Sequence, residues 1–245
     1  MLGIIQFFRS GENLAKVDLT DIDNIQSFIT EHKPDFLIHS AAQRFPDKMK
    51  DNPEQARLLN VEATKALASS LHKVGGKMLY ISTDYVFDGK TPPYKHDSAT
   101  NPLNDYGISK LDGEKVVLAE NPNNLILRIP ILYGPVQYID ESAVTTLYSK
   151  LADASKKATD MSDYEIRRPS HVSDIASIIH DLITFCCTRQ EVITHVHCTK
   201  RLVYVSGQIL PISKAFGRSL ALWFGLNFKN FQFFDFPIFS DFFRF

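Results

Sequence analysis

KMLYISTDYVFDGKTPPYKHDSATNPLNDYGISKLDGEK, residues 77–115, is the stretch on which the fold turns. Its opening residues, 77–82, are an apolar run that leads into Ser82-Thr83-Asp84, the pattern of a buried strand reaching the edge of its sheet. Residues 90–102 are rich in proline and polar side chains and read as a loop at a functional edge. A helical pattern follows from about residue 104 to residue 120 and stops ahead of Pro122. This unit of strand, loop and helix puts Tyr106 and Lys110 four residues apart, on one face of the helix.

Working outward, residues 2–8, 35–41 and 124–129 are further short apolar runs bounded by polar or turn residues, and each reads as a buried strand. Between them, residues 21–32 form a helical pattern with Thr20 or Asp21 as its cap. Residues 53–73 form a second, with proline in its first turn and Gly75-Gly76 behind it. Strands that are nearly continuous in apolar residues and alternate with helices predict a parallel sheet covered on both faces. The class is α/β.

Composition narrows the field. With 27 basic and 28 acidic residues the net charge is -1, and no basic stripe interleaved with aromatics runs along the chain, which argues against nucleic acid as a partner. Cys186, Cys187 and Cys198 match neither a disulfide framework nor a zinc site, so a reducing, cytoplasmic setting and no metal are expected. The apolar run at residues 2–8 lacks a basic leader and is too short to span a bilayer, and no membrane association is expected. The text changes beyond about residue 183. From Phe228 to Phe245 nine of eighteen residues are phenylalanine at no steady period, and a core of one residue type specifies a structure poorly. The chain is accordingly divided into a partial nucleotide-binding domain, residues 1–182, and a divergent segment, residues 183–245, expected to be poorly ordered.

The chemistry of residues 77–115 is that of hydride transfer at a carbonyl. A phenol with a pKa of about 10 is a poor acid or base at neutral pH. A cation beside it stabilises the phenolate, and the spacing lets the Lys110 ammonium approach Tyr106, while the Thr83 hydroxyl can donate to a carbonyl oxygen. Taken alone, a tyrosine and a lysine at this spacing are more often neighbours on a solvated face. The strand ending in Ser-Thr-Asp gives the pair its chemical meaning.

That segment resembles extended short-chain dehydrogenase/reductases, especially dTDP-dehydrorhamnose reductases, with their STDYVF strand end and YxxxK helix. The resemblance implies a Rossmann-type doubly wound sheet, with Thr83 as carbonyl donor, Tyr106 as acid/base, and Lys110 as tyrosine activator and ribose ligand. HSAAQRFPD at 39–47, RIPILYG at 128–134, ESAVT at 141–145 and RRPSHVSDIA at 167–176 resemble the regulatory beta-subunit family of methionine adenosyltransferase. This second resemblance runs over roughly residues 7–182. It implies a largely non-catalytic, RmlD-like protein that binds NADP and associates with the catalytic subunit of methionine adenosyltransferase, so that Thr83, Tyr106 and Lys110 are vestigial or hold cofactor. An NADP-dependent nucleotide-sugar reductase is the alternative, and a non-functional truncated product a third reading.

Carried over residue by residue, the resemblance places Phe7, Phe8 and Arg9 at the adenosine 2'-phosphate. Arg9 matches one of two adjacent arginines and Phe8 stands in place of the other, which leaves NADP against NAD open. Asp18 and Leu19 fall beside the adenine, Ser40, Ala41, Ala42 and Arg44 on the loop after the strand at 35–41, and Leu132 near the nicotinamide. Ala41-Ala42 also reads simply as a small-residue turn packing a helix on the sheet. The fold's first strand and its glycine-rich phosphate loop are missing: none of the 11 glycines stands in a strand, glycine-loop, helix arrangement. NADP binding is expected to be weak or lost, and a gap flanked by unpaired backbone is expected between the strands at 2–8 and 35–41.

Overall fold

The computed structural model describes residues 2–8, 12–152, 167–189, 195–199, 202–205, 208–211 and 231–234. In chain order its elements begin β1 (Leu2–Phe8), β2 (Glu12–Asp18), α1 (Ile22–His32), β3 (Phe36–His39), α2 (Pro46–Asp51) and α3 (Pro53–Arg57). A π-helical turn (Leu58–Glu62) leads into α4 (Ala63–Lys73), and β4 (Lys77–Thr83) is followed by a 3-10 turn (Asp84–Val86) and α5 (Asp105–Glu120). Then come β5 (Leu125–Ile129), β6 (Leu132–Tyr133), α6 (Ala143–Ala152), β7 (Ser170–His171) and α7 (Val172–Arg189). Last are β8 (His195–Thr199), β9 (Leu202–Val205), β10 (Gln208–Pro211) and β11 (Phe231–Phe234).

Local chemistry explains the helix boundaries. Asp21 caps α1 by accepting from the Asn24 N–H at 3.0 Å, and Asn104 caps α5 by accepting from the Gly107 N–H at 2.8 Å. Behind α4 the chain reverses at Gly75, whose φ of +83° suits glycine, while a Cβ on Gly76 would lie 2.3 Å from the Pro34 carbonyl oxygen. The helix read at residues 53–73 is one helical stretch interrupted by the π turn, an irregularity that apolar spacing does not reveal.

The strands form a nine-stranded sheet in the order β10-β9-β8-β5-β4-β3-β11-β1-β2. Neighbours from β11 through β3, β4 and β5 to β8 pair in parallel, so the parallel α/β core is as read. Both faces are covered, which is why the strands are apolar on successive residues. On one face Ile38, Leu79, Ile81 and Leu127 pack against Ile175, Ile178, Ile179 and Leu182 of α7. On the other Leu37, Met78, Tyr80 and Ile126 meet Ile25 and Ile29 of α1, Leu67 and Leu71 of α4, and Val117 of α5. Each fully buried leucine or isoleucine contributes about 1.5–3 kcal/mol relative to exposure.

Helix α7 runs through the expected division at 182/183, and its Leu182, Ile183 and Cys186 belong to one apolar cluster with Ile175. Two expectations are corrected. The strand at 2–8 exists but runs antiparallel to both neighbours, and β2 beside it was not among the strands read. The expected gap is filled: β11, out of the phenylalanine-rich segment, pairs in parallel with β3 and antiparallel with β1. That supplies partners to the backbone groups of both edges. The rest of the phenylalanine-rich segment lies outside the described residues. Among the described residues no helix is long and apolar enough to cross a membrane, and no group of three or more side chains could hold a metal ion.

Candidate functional site

The carboxyl ends of β3, β4 and β5 define one edge of the sheet, and the loops leaving them build the site. Thr83 ends β4. Its hydroxyl accepts from the Tyr85 N–H at 3.2 Å and donates to Asp84 Oδ1 at 3.3 Å. Asp84 is held above the usual carboxylate range by burial, against the opposing charge of Arg167 and the Thr83 hydrogen bond. Arg167 stacks on the Tyr85 ring, 4.7 Å from its centre, and donates to the Tyr85 hydroxyl. The Tyr85 ring in turn meets Tyr106 edge-on, with centroids 6.1 Å apart. A Cβ on Gly107 would lie 2.3 Å from the Tyr85 carbonyl oxygen, so glycine lets the first turn of α5 press against this strand end.

Tyr106 is half-buried, and burial pushes the phenol up to about 12. The cation that opposes this shift is Arg44, while Asp84 and Tyr85 add to it. Lys110 is placed differently from the reading that set its charge on Tyr106. Its Nζ lies 3.8 Å from the centre of the Tyr80 ring, in a cation–π contact from β4. Burial pushes this ammonium down to about 7, against the attraction of Glu114. Among the described residues it makes no hydrogen bond and no ion pair. Both Glu114 oxygens are engaged elsewhere: Oε1 accepts from Ser82 Oγ at 2.5 Å and Arg128 Nε at 2.9 Å, and Oε2 from Arg128 Nη2 at 2.7 Å. A third Arg128 donor reaches the His96 carbonyl at 3.0 Å, which ties the loop after β4 to β5.

The loop after β3 carries Ser40, buried, with Ala41, Ala42 and Arg44 partly so, and Ala41 also packs on the core under α1 and α4. For Ala41 the reading as a small residue packed on the core holds. Arg44 Nη2 donates to the Glu141 carbonyl at 2.6 Å, joining this loop to the segment before α6. Leu132 lies on β6 opposite Ser170 and packs against the α7 cluster.

Sequence reasoning missed three residues that hold this edge together. Asn60, in the π-helical turn, accepts from the Gln43 N–H at 2.7 Å and donates to the Gln43 carbonyl and to Ser109 Oγ, each at 3.0 Å. Ser109 Oγ donates to the Tyr106 carbonyl at 2.9 Å, so one amide links the β3 loop to the helix of Tyr106. His39 Nε2 lies 2.8 Å from Thr64 Oγ1, which itself donates to the Asn60 carbonyl, so the imidazole supplies the hydrogen there. Burial, with Lys110 nearby, pushes this histidine down to about 3. Tyr80 is the third. The signal available was a polar residue set in an otherwise apolar run, as Asn60 and His39 are.

The residues expected beside the adenosine are not brought together in the same way. Asp18 and Leu19 sit at the site edge, but the Asp18 carboxylate accepts from the Thr20 N–H at 2.9 Å and the Thr20 hydroxyl at 2.7 Å, and the Leu19 side chain is core. Phe7 and Phe8 lie at the other edge: Phe8 stands opposite Phe231, which stands opposite Phe36 at the amino end of β3. The antiparallel direction of β1 is the reason, and it separates these two residues from Tyr106. Arg9 lies outside the described residues.

The sequence profile of the RmlD substrate binding domain matches residues 5–205. Methionine adenosyltransferase 2 subunit beta of Xenopus tropicalis is 43% identical over 172 residues, 70% of this chain and 51% of that protein. A dTDP-4-dehydrorhamnose reductase of Sinorhizobium fredii is 38% identical over 118 residues, 48% of this chain and 40% of that protein. Among solved structures, the dTDP-4-dehydrorhamnose reductase of Bacillus anthracis in complex with NADP superposes with a TM-score of 0.65 at 27% identity, over 77% of this chain and 64% of that one. The chain thus spans about half the length of the curated beta subunits it matches.

Proposed function

The chain belongs to the RmlD substrate binding domain family, and from that premise we propose that it acts as a regulatory subunit of methionine adenosyltransferase. In this reading it binds the catalytic subunit and modulates S-adenosylmethionine synthesis in the cytoplasm. The observation that carries the proposal is the 43% identity to a beta subunit over 70% of the chain, against 38% over 48% for a sugar-nucleotide reductase. The site gives physical support. A phenol pushed up to about 12, with the lysine of its helix turned onto another ring, is poorly suited to proton transfer at neutral pH. Co-purification with the catalytic subunit, read as complex formation and as a change in its rate of S-adenosylmethionine synthesis, tests the reading. Absence of both would reject it.

NADP fits one part of this site and not another. Lys110, a buried ammonium with its hydrogen-bonding capacity open among the described residues, together with Tyr106 and Leu132, would hold the ribose and nicotinamide. The cofactor's own chemistry, when bound, is hydride exchange at the nicotinamide. Among the described residues no glycine stands at the carboxyl end of β11, the strand between β1 and β3, to cradle the pyrophosphate. Weak NADP binding is the corresponding proposal.

The presence of Thr83, Tyr106 and Lys110 at one sheet edge favours a second reading, a nucleotide-sugar reductase. NADPH oxidation on adding dTDP-4-dehydrorhamnose, abolished in Tyr106→Phe, would select it over the regulatory one.

A further inference from the structure

We propose that the nucleotide site of this chain takes the nicotinamide mononucleotide half of a dinucleotide and leaves the adenosine half unbound. The inference rests on the nucleotide reading above and narrows it. Three observations carry it, and none depends on what precedes Leu2.

The first is the occupant of the slot between β3 and β1. In a doubly wound fold the pyrophosphate sits on the loop that leaves this strand at its carboxyl end, where glycine lets backbone N–H groups approach the phosphates. Here the strand is β11, parallel to β3, with Phe234 level with His39 at the site edge. The next residues in the sequence are Asp235, Phe236 and Pro237. None of the three is glycine. The second observation is the direction of β1, which carries Phe7 and Phe8 to the edge opposite the site. The third is the state of the adenine-side residues: Asp18 is committed to Thr20, and Leu19 is buried in the core.

At the other end, the groups that meet a ribose and a nicotinamide stand at the site edge. Lys110 is buried with no hydrogen bond among the described residues, Glu114 is engaged by Ser82 and Arg128, and the ammonium's three donors suit vicinal ribose hydroxyls. Tyr106 stands one helical turn before Lys110, and Leu132 leaves the carboxyl side of β5.

Calorimetry on the full chain decides the matter, with oxidised nicotinamide mononucleotide, NADP and adenosine 2',5'-bisphosphate as probes. The first two are expected to bind within about threefold of each other and the third not at all, since a dinucleotide gains nothing from a half that finds no site. Lys110→Ala should weaken both binders by at least about tenfold. Saturation-transfer NMR on the unaltered chain, expected to mark the nicotinamide protons and not the adenine protons of NADP, avoids reliance on a variant that fails to fold. NADP binding more than about tenfold tighter than the mononucleotide would overturn the proposal and leave the nucleotide reading standing. Binding by neither would overturn both. Mononucleotide binding unaffected in a folded Lys110→Ala would also overturn it, by placing the site elsewhere.

Discussion

The Nζ of Lys110 on α5 lies 3.8 Å from the centre of the Tyr80 ring on β4, and Gly113, one turn further along the helix, leaves room for that ring. A Cβ at 113 would lie 2.2 Å from Tyr80 Oη, closer than any packed atoms sit. Gly113→Ala should therefore push the ring off its seat and destabilise the fold by about 1–3 kcal/mol, the usual range for overpacking. Urea denaturation checks this, and an unchanged midpoint would show that the ring has another place to go.

Stability should depend on pH through Lys110. Its folded value is about 7 against an ordinary 10.5, so between those values the unfolded chain holds a proton that the native state has lost. Raising the pH across that window therefore stabilises the native state, by up to about 1.4 kcal/mol per pH unit from this group. The wild type should gain stability relative to Lys110→Met as the pH rises from about 7 towards 10.5. Urea titrations of both proteins at several pH values read the difference.

His39 works on the acid side. Its imidazole titrates near 3 when folded and near 6.5 when unfolded, so acid drives a proton onto the unfolded chain alone. The contribution is complete above about pH 6.5 and is lost as the pH falls towards 3, by up to about 1.4 kcal/mol per unit. His39→Gln should be less stable at neutral pH but shallower in its acid limb. Parallel slopes for the two proteins between pH 6.5 and 4.5 would contradict the assignment.

Glu114 and Arg128 form a buried pair, their side chains 3% and 6% exposed. Removing one partner leaves an uncompensated charge, and Glu114→Ala should cost about 3–5 kcal/mol. The double replacement Glu114→Leu with Arg128→Met should cost much less, because no charge is left stranded. A double variant as unstable as the single one would mean that packing around Ser82, and not charge, sets the cost.

Much of this was legible in the sequence where the cause is local. Asn104 ahead of a helical pattern, Gly75-Gly76 behind another, and the apolar run into Thr83 each act within a few residues, and each element lies where it was read. The spacing of Tyr106 and Lys110 showed a shared helix face but not the neighbour across from it. Tyr80 comes from a strand, and inside an apolar run it reads as core. Asn60 and His39 escaped notice for the same reason, since their roles depend on Gln43, Ser109 and Thr64 reaching them through the fold. The direction of β1 and the destination of β11 were beyond reach, because pairing between distant strands is set by which edges remain open and not by the local pattern.

The strand that joins β3 to the β1–β2 hairpin is also the last of the sheet's nine to be synthesised. Phe36 and Phe231 are partners although roughly 200 positions apart, a separation that raises contact order and slows folding. At about 5–20 residues per second, some 10–40 seconds pass on the ribosome between the emergence of β3 and that of β11. Through that interval the β1–β2 hairpin has no strand joining it to the rest of the sheet, and the apolar edge of β3 stays bare. The nascent chain thus stays exposed to aggregation until β11 has emerged, and its yield should respond to chaperone supply and translation speed more than to any substitution in its helices.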